Sequence, residues 1–526
     1  MLADKLDHEI DEEAPKPLVP SGSGDDTGGR GGSLGKQAAQ GAAWNYAAFL
    51  VSKGLLFVAT LVLARLLTPA EFGLVGMALL VITALDVLRD FGIGAAVIYH
   101  QREPQAAANM AFALSSGIGI LLFAANWLLA PFTAHFFKTA NPADTQTVVS
   151  LLQVLGFSLL FASLGSTHDA LLQKEINYRR RMVPEVSRTL FKGVISVALA
   201  FMGWGVWSLV IGQVVGEASA TLLLWYVARW RPTLQISRAL LRPILGYGVQ
   251  TMFAGGLGTL ISDVDYLIIG RLLGETPLGL YTLAFRIPEL IIKNLSQAVS
   301  SVAFPVAARL QSDRDAMRDA YLSMQHYMLA ILAPLGLGLY AVTPALIHLL
   351  FQSKWDPIIP VMQALSLYMV MGAINHWPGV IYKAVGRPDI LNRLSLVKLA
   401  MLVPVLWWCA LSYGIEGVAW GQVVVRAIGV VIDMYAVSRF VKLSVWENLK
   451  VIWPPFVAAL VMLAGVYLVF LLDPGQRSLP VAALAIAFGA LLYGAGLWLV
   501  DRKAVVTLLA LGRSLTGRDR PVAAQP

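Results

Sequence analysis

Residues 263–295 read DVDYLIIGRLLGETPLGLYTLAFRIPELIIKNL, and this stretch decides the fold. Two apolar arms flank RLLGETPLG, whose Gly274, Pro277 and Gly279 interrupt a helical pattern and set a tight turn. Each arm has the composition of a membrane helix, yet both carry charges. Counted at about 1.5 Å per residue from the edges of the turn, Asp263 and Arg286 lie roughly 10 to 12 Å down their arms and Lys293 roughly 20 Å. A charge at that depth in hydrocarbon costs at least about 2.5 to 3.5 kcal/mol, so such groups are paired, face water or serve function.

The rest of the chain repeats this plan. With 57% of 526 residues apolar, 14% charged and a mean hydropathy of +0.67, the composition excludes a soluble protein. Apolar runs of about 20 residues, each long enough to cross roughly 30 Å of hydrocarbon as a helix, recur from end to end. Fourteen spans are expected, near 41–64, 73–99, 107–134, 148–170, 183–202, 206–228, 244–270, 278–308, 320–351, 358–382, 391–412, 415–438, 450–472 and 480–500. Residues 1–40 are polar and rich in Gly and Ser, the composition of a disordered tail. No short apolar segment with a small-residue cleavage site precedes the first span, which argues against a removable signal peptide. The single cysteine, Cys409, lies inside a span and excludes both a disulfide framework and a thiolate metal site.

Lys and Arg are distributed unevenly over the connections. One face carries Arg102, Lys174, Arg179–Arg181, Arg229, Arg231, Arg238, Arg242, Arg309, Arg314, Arg318, Lys383, Arg387, Arg393, Arg439, Lys442 and Lys450; the other carries Arg65, Lys138, Arg271, Lys354 and Arg477. The base-rich face is expected to be cytoplasmic, which places both termini inside, with the basic tail 501–526 in agreement. The net charge of +8 is then explained by topology and anionic lipid, without nucleic acid.

The chain also repeats internally. ARLLTPAEFGLVGMA (64–78) aligns with GRLLGETPLGLYTLA (270–284), WGVWSLVIGQVV (204–215) with YGIEGVAWGQVV (413–424), and Pro131 and His135 with Pro344 and His348, all at offsets near 210 residues. Six spans separate equivalent positions, so the halves have the same orientation and form parallel repeats about an axis along the membrane normal. The expected fold class is therefore an all-α polytopic membrane protein: two six-helix repeats (41–228 and 244–438) and an extra helix pair (450–500). Two such bundles facing each other are a transporter plan, with substrate near the bilayer midplane between them.

Candidate site residues follow from intramembrane polarity. Arg286, Glu289 and Lys293 are spaced i, i+3, i+7 and share one helix face if the helix is regular. Two readings stay open: Arg286 is neutralised by Asp263 while Glu289 pairs with Lys293, or the cations bind an anion, since guanidinium forks suit phosphate oxygens. Span 2 holds Asp86, Arg89 and Asp90 before Phe91, Gly92, Ile93 and Gly94, a pattern for a break that lines a cavity, with Arg89 roughly 24 Å from the turn; snorkelling at the interface is the alternative. Gln213 and Glu217 in span 6 are repeat-related to Gln422 and Arg426 in span 12, and a Glu217–Arg426 pair across the halves is expected. Lys53, Asp265 and Lys398 are intramembrane charges without an assignable partner. His135 and His348 sit at helix ends as interfacial imidazoles, and Glu185, Arg188 and Lys192 open span 5 at the rim of a basic cavity. No residue set supports catalysis, a cofactor or a metal.

ARLLTPAEFGLVGMALLVI, the RDFGIGAA turn, DYLIIGRLLGETPLGLYTLAFRI and FPVAARLQ resemble the polysaccharide-exporter branch of the multidrug/oligosaccharidyl-lipid/polysaccharide flippase superfamily, over roughly residues 38–440. The resemblance implies a bacterial inner-membrane flippase for an undecaprenyl-pyrophosphate-linked oligosaccharide, serving exopolysaccharide or lipopolysaccharide biosynthesis with a polymerase and export machinery as partners. It also implies essential arginines in spans 8 and 2, at the positions of Arg286 and Arg89. Two other expectations compete. A cation-coupled multidrug exporter of the same superfamily predicts a cavity of carboxylates and aromatics, and a polysaccharide polymerase or ligase predicts a long external catalytic loop, which this chain lacks.

Overall fold

The computed structural model describes residues 51–90, 94, 104–175, 178–233, 238–293, 295, 310, 313–374, 376–384, 387–440, 443–472 and 479–507. The tail 1–40, residues 91–93 of the RDFGIG turn, most of the basic tail and the side chain of Lys293 lie outside them. Among the described residues every regular element is helical. They are α1 (51–66), α2 (Pro69–Asp90), α3 (Pro104–Phe136), α4 (Pro142–Lys174), α5 (Tyr178–Phe201), α6 (Val206–Val227), α7 (Arg238–Leu272), α8 (Glu275–Pro288), α9 (Arg314–Leu350), α10 (Ile358–Ile374), α11 (His376–Ala384), α12 (Pro388–Phe440), α13 (Val445–Leu471) and α14 (Leu479–Val500).

The helix starts are written locally. Pro69, Pro104, Pro142 and Pro388 open their helices, where the missing N–H costs nothing. Thr68 and Glu71 cap α2 reciprocally, with Thr68 N–H on Glu71 Oε2 at 2.7 Å and Glu71 N–H on Thr68 Oγ1 at 3.3 Å. Ser444 and Glu447 form the same box on α13, and Asp313 accepts from two backbone N–H groups at the start of α9. Nine described helices are long and apolar enough to cross a membrane. One of them, α12, has 53 residues, far more than one crossing needs, and it breaks at Gly414 (φ 63°, ψ −148°), between the expected spans 391–412 and 415–438.

Span 8 departs from expectation. After Pro288 the helix continues as a π turn, Glu289–Lys293, so the i, i+3, i+7 face inferred for a regular α-helix does not carry through to Lys293. Proline removes a backbone donor and crowds the preceding turn, the circumstance in which a wider turn relieves the clash.

The two repeats meet at the base-poor face, where α2 crosses α8 with almost no gap. A Cβ on Gly73 would stand 1.7 Å from the Glu275 carbonyl oxygen, and one on Gly279 1.8 Å from that of Pro69. Gly73 and Gly279 are equivalent in the repeat, as are Pro69 and Glu275, so the crossing is reciprocal. Hydrogen bonds around it follow the same symmetry. Arg65 Nε donates to Leu350 O at the end of α9 (3.2 Å), and its counterpart Arg271 donates to Phe136 O at the end of α3. Trp355 Nε1 donates to Ala64 O (2.8 Å), and Lys138 N to the equivalent Gly270 O (3.0 Å). Lys354 Nζ adds bonds to Arg65 O and Leu67 O, and partial burial there pushes its pKa below the ordinary lysine value.

Helices α13 and α14 pack outside this body, on α9. Ala333, Leu337 and Ala341 meet Ala459, Met462, Val466 and Ala485 in one buried cluster. His326 bridges Val451 O and Asp501, both at 2.8 Å, Tyr493 donates to Ala330 O at 2.6 Å, and Arg318 pairs with Glu447.

Candidate functional site

Beneath the α2–α8 crossing the helices part and enclose a cavity of about 440 Å³. Helix α2 contributes Gly76, Leu79, Leu80 and Thr83; α7 contributes Ser262, Asp263 and Tyr266; α8 and its π turn contribute Thr282, Phe285, Arg286 and Glu289. Tyr368, Met369 and Gly372 of α10 and Arg426 of α12 complete the wall. Arg286, Asp263, Glu289 and Arg426, four of the eight residues expected from the sequence, thus stand around one space. Two guanidinium groups and two carboxylates thus share the space, and the Arg286 fork suits the oxygens of an anionic head group entering it.

Arg426 does not pair with Glu217. Its guanidinium lies 4.5 Å from the Tyr368 ring centroid, Nη2 reaches Tyr368 Oη at 3.2 Å, and Nε is buried without an acceptor. Glu217 instead meets Arg188 Nε at 3.1 Å. The expected cross-repeat pair fails because α5, a neighbour of α6, supplies a nearer cation.

The remaining candidates fall elsewhere. Arg89 pairs with Asp86 at 2.6 Å, is only 13% exposed, and interacts electrostatically with Glu217 rather than lining the cavity. Gln422 donates at 2.9 Å to Asp265, a fully buried carboxylate that also accepts from Tyr281 Oη (2.8 Å) and Tyr266 N (3.0 Å). Gln422 is therefore a core contact. Gln213 is half-buried on α6 away from the cavity lining, and Lys398, left unpartnered in the sequence, bonds Asp433 at 2.6 Å.

The sequence placed Arg188 and Lys192 at the rim of a basic cavity, paired Glu217 with Arg426 and gave Lys53 no partner. Lys192 lies within electrostatic range of Arg286 in the other repeat as well as of Glu217, Arg188 and Lys53. A signal existed: Glu185, Arg188 and Lys192 have the i, i+3, i+7 spacing that drew attention to Arg286, Glu289 and Lys293. Among the described residues, no group of three His, Cys, Asp or Glu side chains is arranged to hold a metal.

Residues 62–360 match the family described as polysaccharide biosynthesis protein. The chain belongs to that family. This polysaccharide biosynthesis protein is 27% identical over 84% of its length, and 90% of the other's, to the lipopolysaccharide biosynthesis protein WzxC of Escherichia coli (strain K12). It is 27% identical to the succinoglycan biosynthesis transport protein ExoT of Rhizobium meliloti (strain 1021), covering 93% of this chain and 98% of that one. Its fold is that of a lipid II flippase MurJ in an inward closed conformation, at a TM-score of 0.74 and 15% identity over 88% of this chain and 99% of that one. An inward-facing multidrug resistance MATE family transporter is similar at a TM-score of 0.62 and 17% identity, covering 76% and 99% of the two chains. The polysaccharide biosynthesis protein described here is accordingly a multi-pass membrane protein with a transporter fold.

Proposed function

We propose that the protein is a flippase that carries an undecaprenyl-pyrophosphate-linked oligosaccharide across the bacterial inner membrane, for exopolysaccharide or lipopolysaccharide assembly. The observation that carries this reading is Arg286 in the wall of a polar cavity roofed by the α2–α8 crossing. Residues 41–228 and 244–438 are the two lobes, and the base-rich face is cytoplasmic. The pyrophosphate then enters from the cytoplasmic leaflet, Arg286 holds it, and parting of the crossing opens the path to the periplasm. The prenyl chain stays in lipid. An apolar trough of about 480 Å³ between α1 and α5, lined by Gly54 and Gly193 among others, offers it a surface. Relatives named for polysaccharide biosynthesis and transport support the reading, and a polymerase and export machinery are its downstream partners.

The test is transport of a lipid-linked oligosaccharide in proteoliposomes. Removing a hydrogen bond to a charged group costs about 1.5 to 3 kcal/mol, so Arg286→Ala is expected to lower flipping by about tenfold or more, with Arg286→Lys intermediate. Full activity of a folded Arg286→Ala protein overturns the assignment.

A further inference from the structure

The cavity has an aromatic wall beside its charged groups. Glu275 starts α8 and Ile358 starts α10, both at the base-poor face, whereas Leu272 ends α7 there. Thr282 and Phe285 therefore lie nearer the α2–α8 crossing than Glu289, and Tyr266 lies nearer it than Asp263. The aromatic residues of the lining stand together. Ring centroids of Tyr266 and Phe285 are 5.8 Å apart and those of Phe285 and Tyr368 6.1 Å apart, a continuous wall. Tyr281 extends it at 5.4 Å from Tyr266, but its hydroxyl is spent on Asp265 and it is fully buried. Tyr266 and Tyr368 are only partly buried and face the space.

The faces of aromatic rings are electronegative, so they repel a pyrophosphate placed over them. A pyranose ring suits them. Its C–H faces lie against the rings, while its hydroxyls need donors and acceptors at the edge, here Thr282, the tyrosine hydroxyls and the guanidinium of Arg426, which is held in place by its stacking on Tyr368.

We propose that Tyr266, Phe285 and Tyr368, with Arg426 at their edge, form the subsite for the sugar attached to the pyrophosphate. This assignment rests on the flippase reading above and places the sugar beside the pyrophosphate, at the depth of Arg286. Tyr266 and Tyr368 are specificity residues that distinguish a glycosylated prenyl pyrophosphate from a bare one.

The experiment measures binding of three lipids to the purified full-length protein in nanodiscs: undecaprenyl pyrophosphate and its glucosyl and galactosyl derivatives. The unaltered protein is expected to bind at least one sugar-bearing lipid about tenfold more tightly than the bare one, the scale of one or two aromatic contacts. The double variant Tyr266→Leu/Tyr368→Leu should lose that advantage while keeping bare-lipid binding within about twofold, the corresponding Phe variants should retain most of it, and Arg286→Ala should weaken all three lipids alike. Equal weakening of all lipids by the Leu variants, or an advantage that survives them, overturns the subsite and leaves the flippase reading standing. Binding of no lipid by the unaltered protein overturns both. Should the Leu variants fail to fold, a diazirine-bearing glucose on the same lipid decides the matter in the unaltered protein: labelling of peptides containing Tyr266 or Tyr368 is expected, and labelling confined to α1–α6 overturns the proposal.

Discussion

Arg426 shows how weakly a position along a helix fixes a side chain's partner. Its repeat equivalent is Glu217, and opposite charges at equivalent places invite a pair across the axis. Yet Arg426 stacks on Tyr368 and Glu217 bonds Arg188, because each finds a partner on a neighbouring helix of its own repeat. Asp265 makes the complementary point. No charged partner was visible for it in the sequence, and its partners are three neutral donors brought together by α7, α8 and α12. Asp265→Asn replaces an acceptor with an amide N–H₂ facing those donors. The expected result is a loss of about 1 to 3 kcal/mol of stability, read as a lowered midpoint of thermal unfolding in detergent, with Tyr281→Phe costing less. An unchanged midpoint for Asp265→Asn would show that the three donors do not depend on a carboxylate.

At the scale of elements, the α2–α8 crossing is built from glycine because two backbones touch there. A side chain at either position has nowhere to go, since the obstructing atoms are carbonyl oxygens of the opposite helix. Gly279→Val and Gly73→Val are therefore expected to hold the base-poor ends of α2 and α8 apart. The single cysteine simplifies the check: in a Cys409→Ala background, a cysteine at Thr83 in the cavity should react with an impermeant maleimide added from the base-poor side in the valine variants and be protected in their parent. Equal protection would mean that the crossing is not the barrier. Helices α13 and α14 contribute no residue to this cavity; their polar anchors all reach α9. His326→Ala should consequently destabilise the docked pair, by about 0.5 to 1.5 kcal/mol for its bond to Val451 O, and a double-mutant cycle with Asp501→Ala should show a further coupling from the close His326–Asp501 contact.

Across the whole molecule, the cations of the base-poor face close the seam between the repeats. Arg65 and Arg271 each donate to the last carbonyls of a helix in the other repeat, where orphaned C=O groups and the helix dipole favour a positive charge. Because the bonds are equivalent, neither arginine alone should decide the conformation. Each exposed bond is worth about 0.5 to 1.5 kcal/mol, so Arg65→Ala/Arg271→Ala should shift the population toward an open base-poor face roughly as the sum of the single changes. Spin-label distances between Asn141 and Gln352 report the shift, and an unaltered distribution in the double variant would remove the seam from the gating scheme.

What the sequence determined by itself follows from period and composition. Membrane helices must satisfy their own backbone, so apolar length alone marks the spans, and Gly414 falls between two expected ones. The repeat was equally legible, since ARLLTPAEFGLVGMA and GRLLGETPLGLYTLA carry the glycines and arginines that later prove reciprocal. The tertiary structure decided which charges share a space. It put Arg286 and Arg426, 140 residues apart along the chain by their numbering, into one cavity, took Gln422 into the core, and brought Lys192 toward Arg286. Depth in a helix is a property of that helix and can be counted; the partner of a side chain depends on rotation about the helix axis and on a π turn such as Glu289–Lys293, which packing between helices alone sets.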